Sequence, residues 1–269
     1  LDHYKTMEAL EDAFFKFLNK VPFYGLAVLC TDCDRTRKLS EKFNKKFITY
    51  GLNEHANLRA ENIEVKEFKT YFDVYFKNYL LGNIELNTPG KHNAQNALAS
   101  IAVGMEVGLS FEKIKEGLKE FKGIERRLQV KSNKNGILII DDYGHHPKEI
   151  ETTLESIKLG FSKYPILIFQ PHRYSRTSLL YNDFVDVLKK IENLYILDIY
   201  AAGEKPIKNI TSKHLVEDIK KAGNTKAVYI NNTDNLITEL KENLTEGDIV
   251  LTSGAGNVWE YGEKLGNQL

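Results

Sequence analysis

Cysteine is nearly missing from this chain: Cys30 and Cys33, in "LCTDCD", are the only two among 269 residues. A disulfide-stapled scaffold is therefore excluded, and no second pair exists to complete a four-cysteine zinc site. The CxxC spacing leaves a redox pair, half a zinc site or two reduced thiols; reduced thiols are the expectation, and they point to the cytoplasm. An excess of charge of either sign is also missing. With 37 basic and 37 acidic side chains the formal net charge is zero, which argues against nucleic acid as a partner. No apolar run approaches the roughly 20 residues that a membrane helix needs, and no secretory signal pattern is visible. Repeats, low-complexity tracts and long Pro/Gly linkers are absent as well. What is present is 42% hydrophobic residues, enough for real cores in one or two domains.

The pattern changes part-way along. Met7, Leu10, Phe14 and Leu18 have helical spacing, "GLAVLC" reads as a buried strand, and residues 57–86 alternate as antiparallel strands do. After the turn signal "NTPG", "KHNAQNALASIAVGMEVG" reads as a helix rich in small residues. From Gly123 onward strand-like runs recur ("RLQVKS", "GILIIDD", "PILIFQ", "LYILDIY", "KAVYI", "DIVLTS"), with helical patterns between most of them. That alternation implies βαβ units and a parallel sheet. The fold class is α/β, with a Rossmann-like parallel-sheet domain over 124–269, a first domain over 1–123, and "FKGIERR" as the hinge.

In an open parallel sheet, ligands bind beyond the carboxyl ends of the strands. Four polar clusters fall there: "DDYGHHP", "QPHRYSRT", "AAGEKP" and "SGAGN". Together they would gather Asp142, Tyr143, His145, His146, His172, Arg173, Arg176, Glu204 and Asn257 around one cleft. Pro147 suits the first turn of a helix, so the two histidines either cap that helix or serve a ligand. Zinc would need further ligands, and two arginines nearby would repel it. Arg173 and Arg176, three apart at a helix start, can face one way and bind a carboxylate or phosphate, or else form surface ion pairs. "SGAGN" either admits a ligand to the backbone or packs tightly. "NTPGKHN" fails as a phosphate loop, since Glu85 stands where the first glycine belongs and His92 replaces Ser/Thr. Yet His92, Asn93 and Asn96 open a helix, and the amides of Asn93 and Asn96, spaced i, i+3, suit a purine edge or a helix cap.

"TPGKHNAQNALAS", "FKGIERRLQV", "IDDYGHHPKEI", "FQPHRYSRT", "AAGEKPI" and "GAGN" occur in this order. Together they resemble the Mur ligases of peptidoglycan synthesis, and among these the members that add L-alanine to UDP-N-acetylmuramate. The resemblance runs nearly end to end. It implies a three-domain enzyme, of which residues 1–123 form part of the central ATP-binding domain without its phosphate loop. Residues 124–269 form the amino-acid-binding domain. The implied chemistry joins L-alanine to the muramate carboxylate through an acyl phosphate, using ATP and Mg2+, and this piece alone is expected to be inactive. The resemblance places His92, Asn93 and Asn96 at the adenine, Arg127 at the nucleotide phosphates and Asp142 at the ribose. It places His145, Arg173 and Arg176 at the amino-acid pocket. The opening "LDHY" resembles the tail of a segment whose metal-binding histidine would precede Leu1. No residue of this chain is expected to ligate metal: where sister ligases carry a modified lysine stands Phe15, with Lys16 one position off. A peptide-recycling ligase and a non-catalytic nucleotide- or amino-acid-binding homologue are the alternatives. Nothing in the sequence speaks to oligomeric state.

Overall fold

Every position of Ile137–Asp142 is buried, as a strand with neighbours on both sides and helices on both faces requires. The computed structural model around it describes residues 4–224, 226–231 and 235–269; the first three residues of "LDHY" lie outside the described residues. The chain forms two units, Leu1–Lys122 and Gly123–Leu269.

The first unit runs α1 (Met7–Leu18), β1 (Ala27–Cys30), α2 (Asp34–Lys42), β2 (Phe47–Gly51), β3 (Leu58–Lys66), β4 (Lys69–Phe76), β5 (Tyr79–Leu86), α3 (Lys91–Glu106) and α4 (Phe111–Glu120). Its sheet has the order β1-β2-β3-β4-β5. β1, β2 and β3 are parallel, whereas β3, β4 and β5 form the antiparallel meander that their alternation predicts. Gly90 precedes α3 with a φ of 111°, a conformation open to glycine. Ala94, Ala97 and Ala102 are small enough to let α3 lie close on the sheet. There Leu98 and Ile101 join Leu58, Phe72, Val74 and Ile84 in one core.

The second unit runs β6 (Gln129–Lys134), β7 (Ile137–Asp142), α5 (Pro147–Phe161), β8 (Ile166–Phe169), α6 (Tyr174–Leu179), α7 (Tyr181–Leu188), β9 (Leu194–Ile196), α8 (Ser212–Lys221), β10 (Val228–Tyr229), α9 (Leu236–Asn243), β11 (Ile249–Ser253) and α10 (Trp259–Gln268). The sheet order is β10-β9-β8-β11-β7-β6. The expectation of a parallel sheet holds for five strands and needs correction for the sixth, because β6 runs antiparallel to β7 at the edge. The cause is local. Asn135 and Gly136 both have positive φ, 53° and 72°, the signature of a tight two-residue hairpin. At the sheet centre β7, β11, β8 and β9 end in register: Asp142 pairs with Ser253, Ser253 with Phe169 and Phe169 with Ile196. The four polar clusters thus leave the sheet along one line.

Candidate functional site at the strand ends of the second unit

Successive side chains of a strand point to opposite faces, so the two aspartates that end β7 do different jobs. Asp141 is fully buried. It accepts from Arg126 Nε at 3.0 Å and from Thr252 Oγ1 at 2.7 Å, tying β7 to β11. Arg126 also donates Nη2 to the Gly254 carbonyl at 2.7 Å. Asp142, 3% exposed, accepts from Leu128 N at 3.0 Å, Gly144 N at 2.8 Å and Thr153 Oγ1 at 3.1 Å. Burial pushes its carboxyl above the ordinary range, against the pull of the Leu128 and Gly144 amides and of the Arg127 charge. Oδ1 takes two of these donors and Oδ2 only one, so Oδ2 keeps a lone pair for a further donor such as the ribose hydroxyl expected at Asp142. Arg127 is open to a phosphate: its side chain is 49% exposed, with Glu149 3.8 Å away and the Tyr143 ring 5.9 Å below.

The two histidines after β7 separate. His146 is the N-cap of α5, accepting from Lys148 N at 3.2 Å, while Glu149 Oε2 receives the backbone amides of both histidines. This is the helix-capping reading. The His145 ring turns the other way, toward His172 at 5.9 Å between centroids. Its Nδ1 lies 3.0 Å from the Tyr143 carbonyl. A carbonyl can only accept, so Nδ1 carries the hydrogen and Nε2 keeps its lone pair when the ring is neutral. His172 has the opposite tautomer. Arg176 Nη1 sits 3.1 Å from its Nδ1, and arginine can only donate, so Nδ1 accepts and Nε2–H is left as a donor.

Both imidazoles are held below their ordinary range. Burial is the main cause for each; the Arg176 charge adds to it, joined by Arg127 at His145 and by Arg173 at His172. The unfolded chain titrates these rings near 6.5, so between that pH and the lower folded values it binds more protons than the native state does. Stability then falls as pH drops through this window. The expected result is that the unfolding temperature, followed by Trp259 fluorescence, falls from pH 7.5 to 5.5. The fall should be clearly shallower in a His145→Gln/His172→Gln double variant. Equal slopes would refute the assignment.

The paired arginines do not share a helix face. α6 begins at Tyr174, and Arg173 precedes it with a left-handed φ of 73°. The i, i+3 geometry expected of Arg173 and Arg176 is therefore corrected. Arg173 Nε donates to Glu204 Oε1 at 2.6 Å. Glu204 also fills the start of α6, accepting Ser175 N at 2.9 Å and Ser175 Oγ at 2.6 Å. Arg176 folds back over His172, also meeting its carbonyl at 3.2 Å, and no carboxylate among the described residues pairs with it. Tyr200 stacks on the His172 ring, 5.5 Å away with the planes 9° apart. In "SGAGN" the tight-packing reading wins: a Cβ on Gly254 would lie 2.7 Å from the Gln170 carbonyl, and one on Gly256 2.8 Å from the Tyr200 ring. Two contributors escaped the sequence reading. One is Arg126, which clamps β7 to β11. The other is Gln170, 8% exposed, which donates Nε2 to Asn257 Oδ1 at 3.1 Å. The "ERR" preceding β6 was the available signal for Arg126, and the first residue of "QPHRYSRT" was the signal for Gln170.

In the first unit His92, Asn93 and Asn96 open α3. Asn93 is half-buried with Nδ2 on the Pro89 carbonyl at 2.8 Å, leaving its Oδ1 as an acceptor, and the Asn96 amide is exposed. This donor and acceptor set suits an adenine edge. Lys16 pairs with Asp12 at 2.6 Å on an open helix face. Among the described residues no group of three or more His, Cys, Asp or Glu is placed to hold a metal ion. No helix among them is long and apolar enough to cross a membrane.

Comparison with known proteins agrees with the two-unit fold. The family model for the Mur ligase middle domain matches residues 1–104, and that for the Mur ligase glutamate ligase domain matches residues 126–256. The chain belongs to the Mur ligase family. It is 44% identical over its whole length to a protein of Trichlorobacter lovleyi named UDP-N-acetylmuramate–L-alanine ligase, and 45% identical to one of the same name from Geotalea uraniireducens. The chain spans 59% of the length of each of these relatives. Among solved structures, UDP-N-acetylmuramate-alanine ligase of Thermotoga maritima superposes with a TM-score of 0.77 at 24% identity, covering 98% of this chain and 55% of that one. MurF ligase of Thermotoga maritima in complex with ADP gives 0.74 at 17%, covering 99% of this chain and 59% of that one. At these identities the two superpositions speak for the Mur ligase fold alone.

Proposed function

We propose that this chain is the nucleotide- and amino-acid-handling part of an ATP-dependent ligase of peptidoglycan synthesis. The enzyme joins L-alanine to the carboxylate of UDP-N-acetylmuramate in the cytoplasm. The observation that carries the reading is the trio His145, His172 and Arg176. A free amino acid is a zwitterion and needs an acceptor for its ammonium and donors for its carboxylate. The neutral His145 offers Nε2 as an acceptor. His172 offers Nε2–H, and Arg176 offers a guanidinium with no carboxylate already on it. The names of the relatives supply the amino acid and its partner. ATP supplies the phosphoryl group that activates the muramate carboxylate, and Mg2+ accompanies it. His92, Asn93 and Asn96 hold the adenine and Arg127 meets a phosphate. The domain roles are adenine binding for residues 1–123, and amino-acid binding, with a phosphate contact at Arg127, for residues 124–269.

The test compares two polypeptides. The full-length protein should release phosphate only when ATP, UDP-N-acetylmuramate and L-alanine are all present. The 269-residue chain should release none, because it lacks the loop that would cradle the phosphates, yet in heteronuclear NMR L-alanine should shift the His145 and His172 ring signals. Full-length turnover with a preformed peptide in place of L-alanine would favour the recycling ligase. Ligand-induced shifts without any turnover would favour a binding-only homologue.

A further inference from the structure

Glu204 has no part in the reading above, although it makes three hydrogen bonds to the segment that carries His172 and Arg176. We propose that Glu204 is a positioning residue for the amino-acid pocket, and that Arg173 is its ion partner rather than a contact for the substrate. The substrate half of this proposal rests on the function proposed above; the structural half does not.

Arg173 must hold a left-handed φ of 73°, uncommon for a residue with a side chain. That bend separates His172, bridged to Tyr200, from the helix that carries Arg176. Its neighbours zip it in place: Arg173 N donates to the Tyr200 carbonyl at 2.8 Å, and Tyr200 N to the Pro171 carbonyl at 2.8 Å. Glu204 closes the same bend from the far side. One oxygen takes Arg173 Nε and Ser175 Oγ, and the other takes Ser175 N. The carboxylate arrives on a turn, Ala202–Gly203, that is itself left-handed at both residues, with φ of 48° and 85°. These contacts hold α6 at the angle from which Arg176 reaches back to His172 Nδ1. They also give the Arg173 cation a carboxylate partner, whereas Arg176 has none among the described residues. The Glu204 carboxyl is drawn down to about 2, chiefly by its bonds from Ser175 and then from Arg173, so it remains ionised at any working pH.

The decisive measurement is the titration of the His172 ring by NMR in the 269-residue chain, wild type against Glu204→Gln. The charges facing His172 are Arg176, His145 when protonated, and Arg173, which lower its pKa, and Glu204, which raises it. If Glu204 acted only as a nearby charge, its neutralisation would lower the His172 pKa further. If it positions α6, Arg176 leaves Nδ1 and the pKa rises. A rise is expected; a fall or no change overturns the proposal. In the full-length enzyme, Glu204→Gln and Arg173→Ala should each raise the KM for L-alanine about tenfold, with the KM for ATP unchanged. The double variant should be no worse than either single one, because the pair acts as a unit. Additive losses would make Arg173 a substrate contact and refute its assignment. The Glu204→Asp variant, which keeps a charged acceptor for Ser175 and Arg173, should lose less than Glu204→Gln and guards against simple misfolding. If wild type itself neither uses nor binds L-alanine, the proposed function fails, while the His172 titration still judges Glu204.

Discussion

Replacing Arg176 by alanine should raise the KM for L-alanine by about tenfold to a hundredfold in the full-length enzyme and leave the KM for ATP nearly unchanged. The magnitude is that of a lost charge-assisted hydrogen bond, about 1.5–3 kcal/mol, at about 1.4 kcal/mol per factor of ten. The direction rests on how Arg176 is held. One nitrogen is spent on the neutral ring and carbonyl of His172, and no acid among the described residues neutralises the cation. A substrate carboxylate therefore meets a guanidinium already oriented but still lacking a counter-charge. Lysine at 176 should restore only part of the affinity, because an ammonium offers a point charge without the fork and cannot bond His172 and a carboxylate in the same plane. Steady-state kinetics with L-alanine and ATP varied in turn decide the matter. If the KM for ATP rises as much as that for L-alanine, Arg176 belongs to the phosphates and the amino-acid pocket is misassigned.

What could be read from the sequence was whatever depends on neighbours along the chain. "ILII" is apolar without alternation, so β7 had to be a strand covered on both faces, and the polar residues after it had to lie at a sheet edge. The same logic gathered the clusters after β8, β9 and β11. Three features were hidden because they depend on backbone sign or on partners far away. The strand–helix rhythm after Gly123 predicts β6 as a parallel strand, but Asn135 and Gly136, both at positive φ, turn it back as an antiparallel hairpin. Arg173 and Arg176 have helical spacing, but the left-handed φ at 173 places the first of them outside the helix and sends it to Glu204, 31 residues away. The polar cluster after β7 predicts Asp142 at a ligand, but neighbours along the chain do not show what else the two aspartates touch. Within the unit Asp141 binds Arg126 and Thr252, and Asp142 binds Gly144 close by and Leu128 and Thr153 farther off along the chain.

Asp141→Ala should damage the second unit severely, and its effect should fall on stability. Asp141 has no exposed surface and holds two donors. Removing it leaves Thr252 Oγ1 buried without its acceptor and takes the counter-charge from Arg126. Breaking a buried ion pair from one side costs about 3–5 kcal/mol. The Arg126 side chain is 24% exposed and can recover some hydration, which places the expectation at the lower end. Arg126 also anchors the Gly254 carbonyl and lies 4.8 Å over Tyr143, so the loss should loosen the loop after β11 as well. Trp259, the only tryptophan, sits at the start of α10 in this unit, and its fluorescence follows the unfolding of this half alone. For a unit of this size about 1 kcal/mol moves the midpoint by roughly 2–4 °C, so a drop of about 6–12 °C is expected. Asp141→Asn, which still offers an oxygen to Thr252, should lose less. A midpoint within 2 °C of wild type for Asp141→Ala would mean that the β7–β11 seam does not depend on this carboxylate. The clamp described for Arg126 would then be wrong.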